Sequence, residues 1–172
     1  QNERGYSIRQ TNDGGYVLVG STTSYGSGGS DLWILKIDNS GLSEWSRTFG
    51  GIENDVGRDI IQTSDGGYIV TGFTKSFTDD GNMDLWLIKT NSSGQSCLYD
   101  EDGNCSSGSS MWVKTFGTSG NDYGNSVIES IENDSTFFIA VGKSGRIPSV
   151  YMVKTDDNGV KQWEQTFGGA DD

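Results

Sequence analysis

Three stretches of this chain are versions of one another: Gly5 to Gly20 reads GYSIRQTNDGGYVLVG, Gly57 to Gly72 reads GRDIIQTSDGGYIVTG, and Gly124 to Gly142 reads GNSVIESIENDSTFFIAVG. A second shared stretch follows each of them, DLWILKID from Asp31, DLWLIKTN from Asp84 and SVYMVKTD from Ser149. A third closes each unit, WSRTFG from Trp45, WVKTFG from Trp112 and WEQTFG from Trp163. Segments recurring in the same order mark a tandem repeat, whose units bury their apolar faces only by stacking on neighbours. All five tryptophans fall in two columns, Trp33 and Trp86 with Tyr151 in one, Trp45, Trp112 and Trp163 in the other. The column lysine and the second-column tryptophan stand 9 residues apart in the first unit (Lys36, Trp45) and the third (Lys154, Trp163), but 23 apart in the second (Lys89, Trp112). The second unit therefore carries a 14-residue insertion.

Within a unit the apolar period is 2, which is the period of strands. In the second unit Arg58 to Thr63, Tyr68 to Thr74, Asp84 to Thr90 and Met111 to Phe116 are four expected strands. Between the first two, Ser64-Asp65-Gly66-Gly67 supplies the positive φ angles of a tight hairpin. Asn91-Ser92-Ser93-Gly94 turns the chain toward the last. In the third unit the longer Glu132-Asn133-Asp134-Ser135-Thr136 replaces Asp65-Gly66-Gly67, so that hairpin must be built differently. Units of about 50 residues, each a four-stranded meander ending in an aromatic and a glycine, follow the grammar of β-propeller blades. The expectation is an all-β fold of three consecutive four-stranded antiparallel β-propeller-type blades, a partial propeller or half of a six-bladed ring. It forms a single repeat domain over residues 1–172, with blade 1 at about 2–51, blade 2 at about 52–117, including a disulfide-loop insertion at about 95–110, and blade 3 at about 118–169. DGGYIVTG, DLWLIK and W-x-x-TFGG resemble the tandem β-propeller repeats of bacterial and archaeal secreted and surface proteins. That resemblance implies a fold and a surface role, and no activity, because propellers host many unrelated functions.

Composition narrows the chemistry. Twelve Lys and Arg against 24 Asp and Glu give a net charge of −12, the wrong sign for gripping a phosphate backbone or an anionic membrane, so no nucleic-acid partner is expected. No apolar run approaches the roughly 20 residues of a membrane span, so no membrane insertion is expected either. Histidine is absent, which removes the most used general base and metal ligand together with every Ser/His/Asp and Cys/His nucleophile system. Carboxylate pairs of the kind that hydrolyse glycosides would have to be unique to one unit, and none is. The chain reads as a non-enzyme.

The insertion, CLYDEDGNCSSGSS, is the part the repeat does not demand. Cys97 and Cys105, the only cysteines, are expected to form a disulfide, the state of such pairs in an oxidising compartment. Between them Asp100, Asp102 and Asn104 place oxygen ligands at alternate positions beside Gly103, like the first half of a calcium loop. The alternative is a solvated acidic turn, since no Glu stands at the twelfth position and no cofactor is required. Asp55 and Asp122, each after an asparagine, are expected to cap turns between blades, and Asp31 and Asp84 to accept backbone N–H groups where they open a strand. The two aromatic columns are expected to pack between blades, the alternative being exposed platforms for sugars. Sequons at Asn91, Asn104 and Asn133 fit an extracellular or cell-surface setting.

Three blades do not close a ring of the usual four to eight. The chain opens on Gln1, and Ala170-Asp171-Asp172 begin a fourth unit at the phase where Gln1 and Asn2 begin the first, as in a processed product or an excised piece without caps. The expected function is an extracellular or cell-surface scaffold that self-assembles through uncapped blades, with a second copy or neighbouring blades as partner. The alternative is a recognition module that binds a glycan or protein through loops on the blade faces.

Overall fold

The computed structural model describes residues 2–96, 111–145 and 149–168, and among them the chain is all-β, with no helix that could cross a membrane. The first sheet runs β1 (Glu3–Gln10), β2 (Tyr16–Thr22), β3 (Asp31–Ile37), β4 (Ser43–Phe49) in spatial as in chain order. The second runs β5 (Val56–Gln62), β6 (Tyr68–Thr74), β7 (Asp84–Thr90), β8 (Trp112–Phe116). The third runs β9 (Tyr123–Glu132), β10 (Ser135–Ser144), β11 (Ser149–Asp156), β12 (Lys161–Phe167). Each is an antiparallel meander, and none closes on itself. The expected strands of the second unit match β6 and β7 to the residue, while β5 begins two residues earlier and β8 one later than the alternation indicated.

Turn chemistry explains the hairpins. In Thr63–Gly67 only Gly66 is left-handed, with φ +83°, and the Asp65 carboxylate accepts the Gly67 N–H at 2.9 Å. Gly14 at φ +85° and Asp13 repeat this in the first sheet. The third hairpin is a two-residue turn with Asn133 at φ 50° and Asp134 at φ 62°, the signature of a type I′ turn, in which Asn and Asp tolerate the left-handed region.

The first strand of every sheet carries a register shift in the same column, between Gly5 and Ser7, Gly57 and Asp59, and opposite Val141 and Gly142. The shift brings a carbonyl against the neighbouring strand. A Cβ on Gly20, Gly72 or Gly142 would lie 1.7, 1.9 or 1.6 Å from the oxygen of Arg4, Val56 or Tyr123, so that column admits only glycine.

The sheets pack in succession, β5 against β1, β2 and β3, then β9 against β5, β6 and β7. One core cluster joins Val17, Leu32 and Ile34 of the first sheet to Ile60, Tyr68 and Trp86 of the second. The other joins Ile69, Leu85 and Trp112 of the second sheet to Val127, Phe138 and Tyr151 of the third. Alternation along each strand makes this possible, because every sheet sends one side-chain set forward and the other back.

Candidate functional site: the sheet junctions

The two aromatic columns serve these junctions. Trp86 and Tyr151 are 2% and 1% exposed and face the preceding sheet. In the other column Trp45 meets Tyr68 edge-on at 5.7 Å and lies over Gly94, whose added Cβ would be 2.4 Å from its ring. Trp112 repeats this seat against Phe138 at 5.9 Å and Gly159, and donates its indole N–H to the Asp157 carbonyl at 2.8 Å. Trp163, last in the column, is 37% exposed.

Carboxylates hold the junctions from inside. Asp55, fully buried, accepts from the Gly51 N–H at 2.9 Å, the Lys75 N–H at 3.1 Å, the Ser76 N–H at 3.3 Å, the Ser76 hydroxyl at 2.6 Å and the Thr74 hydroxyl. Its own N–H donates to the carbonyl of Ser30, just before β3 of the first sheet. The expected turn cap is thus a knot between a linker and two sheets. Asp122 takes the same place at the second junction, accepting from Thr118 N–H and hydroxyl through Oδ2, while its buried Oδ1 has no hydrogen-bond partner. Asp59 lies on β5, the first strand of the second sheet, and reaches the first strand of each neighbouring sheet. Its Oδ1 accepts from Ser7 and Arg9, and its Oδ2 from the Ser126 hydroxyl and the Val127 N–H.

Asp31 accepts the Ser27 N–H at 2.9 Å as expected for a strand opener, but no such bond reaches Asp84 among the described residues. Burial pushes both carboxyls up. Asp84 rises to about 6 because burial removes its hydration and Asp80, Asp122 and Asp79 surround it with like charge. Asp31 is raised by burial against the opposing Ser27 hydrogen bond, with Asp55 adding like charge. A carboxyl raised in the fold binds its proton more tightly there than in the unfolded chain. Its contribution is present at acid pH and is lost as pH climbs through about 6. Replacing Asp84 by asparagine should therefore stabilise the protein at pH 7.5, by on the order of 2 kcal/mol, and make almost no difference at pH 4. Urea titrations of both proteins across that range check this, and a constant difference would contradict it.

A set that sequence reasoning passed over is the column lysine. Lys36, Lys89 and Lys154 are buried near the ends of β3, β7 and β11, each ion-paired at the hairpin end of its sheet: Lys36 with Asp13 (3.0 Å) and Glu44 (2.6 Å), Lys89 with Asp65 (2.7 Å), Lys154 with Glu132 (2.7 Å). Burial alone would lower the Lys36 ammonium, yet Glu44 and Asp13 outweigh it and hold its pKa above the ordinary value. The signal was a charge recurring at an inward position of an apolar strand, where only a paired lysine is tolerated. Glu132 supplies the carboxylate in the one unit that lacks the Asp-Gly-Gly turn.

Cys97, Cys105, Asp100, Asp102 and Asn104 lie outside the described residues, and so do the disulfide and calcium expectations placed on them. Among the described residues no group of three or more acidic, cysteine or histidine side chains is placed to hold a metal ion. Ser96 and Met111, which flank the insertion, line an open cleft of about 560 Å³ with Arg47, Phe49 and Gln95. Asn91 and Asn133 both stand in turns; the Asn91 side-chain oxygen accepts from the Ser93 and Gln95 N–H groups and so has a structural task of its own.

No protein-family model matches this chain, and no curated protein matches it. The junctions themselves have to carry the functional argument. Their chemistry is hydrogen bonding to buried carboxylates and contact between apolar faces, which is the chemistry of adhesion between sheets.

Proposed function

We propose that this chain is a non-enzymatic scaffold of β-propeller type, extracellular or at a cell surface, that self-assembles through its uncapped sheets. The observation that carries the reading is the agreement of the two junctions. Both are made by the forward set of one sheet meeting the backward set of the next, in the same columns. The two sets left over are apolar and open to solvent: Ile8 at 51% exposure on the first sheet, and Val150 at 46% and Phe167 at 53% on the third. Apolar faces of that extent mark interaction surfaces. The propeller-type arrangement is supported by the packing of each first strand on the preceding sheet, and by Asp59 bridging the first strands of all three sheets. The resemblance of the repeats to those of secreted and surface proteins, and the two sequons in turns, support the setting. Light scattering at micromolar concentration should find about twice 18.6 kDa or a larger polymer. A stable monomer would instead favour the recognition module, with the cleft beside the insertion as its first site to examine.

A further inference from the structure

We infer that Trp163 is a knob, and Tyr16 with Gly41 its vacant seat, and that a second copy of this chain joins the two head to tail. The inference rests on the self-assembly reading above and names the contact that makes it.

The two internal junctions define what a seat is. In each, the tryptophan of a sheet's last strand lies over a turn glycine of the next sheet and meets the aromatic residue four positions before the column glycine (Gly72 or Gly142) of that sheet's second strand. Trp45 takes Gly94 and Tyr68; Trp112 takes Gly159 and Phe138. Both glycines are buried, and a Cβ on either would enter the indole ring. The same columns in the first sheet hold Gly41, in the turn between β3 and β4, and Tyr16, at the start of β2. Gly41 has the same left-handed φ, +84° against +70° and +76°, but it is exposed and nothing lies within 4 Å of its Cβ position. Tyr16 is half-buried where Tyr68 and Phe138 are 2% and 1% exposed. The third sheet shows the reverse, a tryptophan in the column with its ring 37% exposed.

Knob and seat thus stand on the third and first sheets of one molecule without meeting, nothing lying within 4 Å of the Gly41 Cβ position, and each is complementary to the other. A second copy brings both. The contact continues an interface the chain already forms twice, with Val150 and Phe167 opposite Ile8 and Trp33 around the indole, as Leu85 and Phe116 stand opposite Val127 and Tyr151. Because the two surfaces differ, the contact is heterologous, closing a ring if the rotation permits and otherwise growing a filament.

Two single variants and their mixture test it by sedimentation velocity. Trp163→Ala removes the knob and keeps the seat; Gly41→Asn keeps the left-handed turn, which asparagine tolerates, and fills the seat while keeping the knob. Each alone should weaken self-association by about thirty-fold or more, as expected for a buried aromatic anchor. Mixed, they retain one intact knob and one intact seat, and should form a one-to-one pair that grows no further. If the unmodified chain assembles and either variant assembles as well as it does, or the mixture fails to pair, this contact is wrong while the scaffold reading stands. If the unmodified chain is monomeric at tens of micromolar, both fall together. Circular dichroism of each variant confirms that the fold is kept, and rescue on mixing cannot come from an unfolded partner.

Discussion

Replacing Trp112 by alanine should cost about 3 to 5 kcal/mol, the usual range for deleting a fully packed tryptophan. The ring is 4% exposed, lies over Gly159 and against Phe138, and spends its N–H on the Asp157 carbonyl at 2.8 Å. Alanine would leave a cavity at the junction and an unmet carbonyl on the next sheet, and neither collapses easily because the wall opposite is a turn fixed by the left-handed Gly159. Since a domain of this size is stable by roughly 5 to 15 kcal/mol, the loss would approach the margin of folding. Trp163 occupies the same column without a neighbour, so in protein dilute enough to be dissociated Trp163→Ala should cost about 1 kcal/mol or less. Urea midpoints of the two variants at one low concentration decide the matter. Equal losses would mean that the column is packed by its own sheet and not by the junction.

Asp55→Ala should be the most damaging change among the acidic residues, at about 3 kcal/mol or more. It strands three buried or half-buried N–H groups and two hydroxyls that now converge on one carboxylate. Each unsatisfied donor costs about 1 to 3 kcal/mol, partly offset because the carboxylate no longer has to be desolvated. Asp122→Ala removes the equivalent group at the second junction, but there, among the described residues, only the Thr118 donors are bonded and one oxygen is already unpartnered. Its loss should be smaller by at least about 1 kcal/mol. The comparison is internal to the protein, which cancels most of the error in extrapolated unfolding energies. Thermal or urea unfolding in which Asp122→Ala is the worse variant would overturn the account of Asp55 as a knot.

Local patterning alone determined a good deal. The three-fold repeat, the alternation in DLWLIK and the Asp-Gly-Gly turns specify twelve short strands grouped in fours, because strand period and turn geometry are properties of a few adjacent residues. The departure at Glu132 to Thr136 was legible for the same reason, and Asn133 and Asp134 do build a different turn. The two aromatic columns were legible as junction packing because large rings recurring at one position of a stacked unit have only the neighbour to pack against.

Tertiary structure decided the rest, through contacts between residues from 19 to 68 positions apart, separations beyond the reach of strand alternation or turn chemistry. Asp59 looks like an ordinary polar residue in a strand, and only the approach of β1 and β9 makes it a link between three sheets. Lys36, Lys89 and Lys154 recur in the sequence as column markers only, and it is the fold that buries them beside carboxylates from other elements of their sheets. Asp55 and Asp84 are both aspartates of recurring columns, yet among the described residues one collects five donors and the other none, with a raised pKa, because burial and neighbouring charge are set by which loops the packing brings near. The unequal fate of one tryptophan column is the clearest instance. Trp112 and Trp163 stand in the same local sequence, W-x-x-TFG, and what buries one and leaves the other exposed is that, among the described residues, a further sheet packs on the first and not on the second.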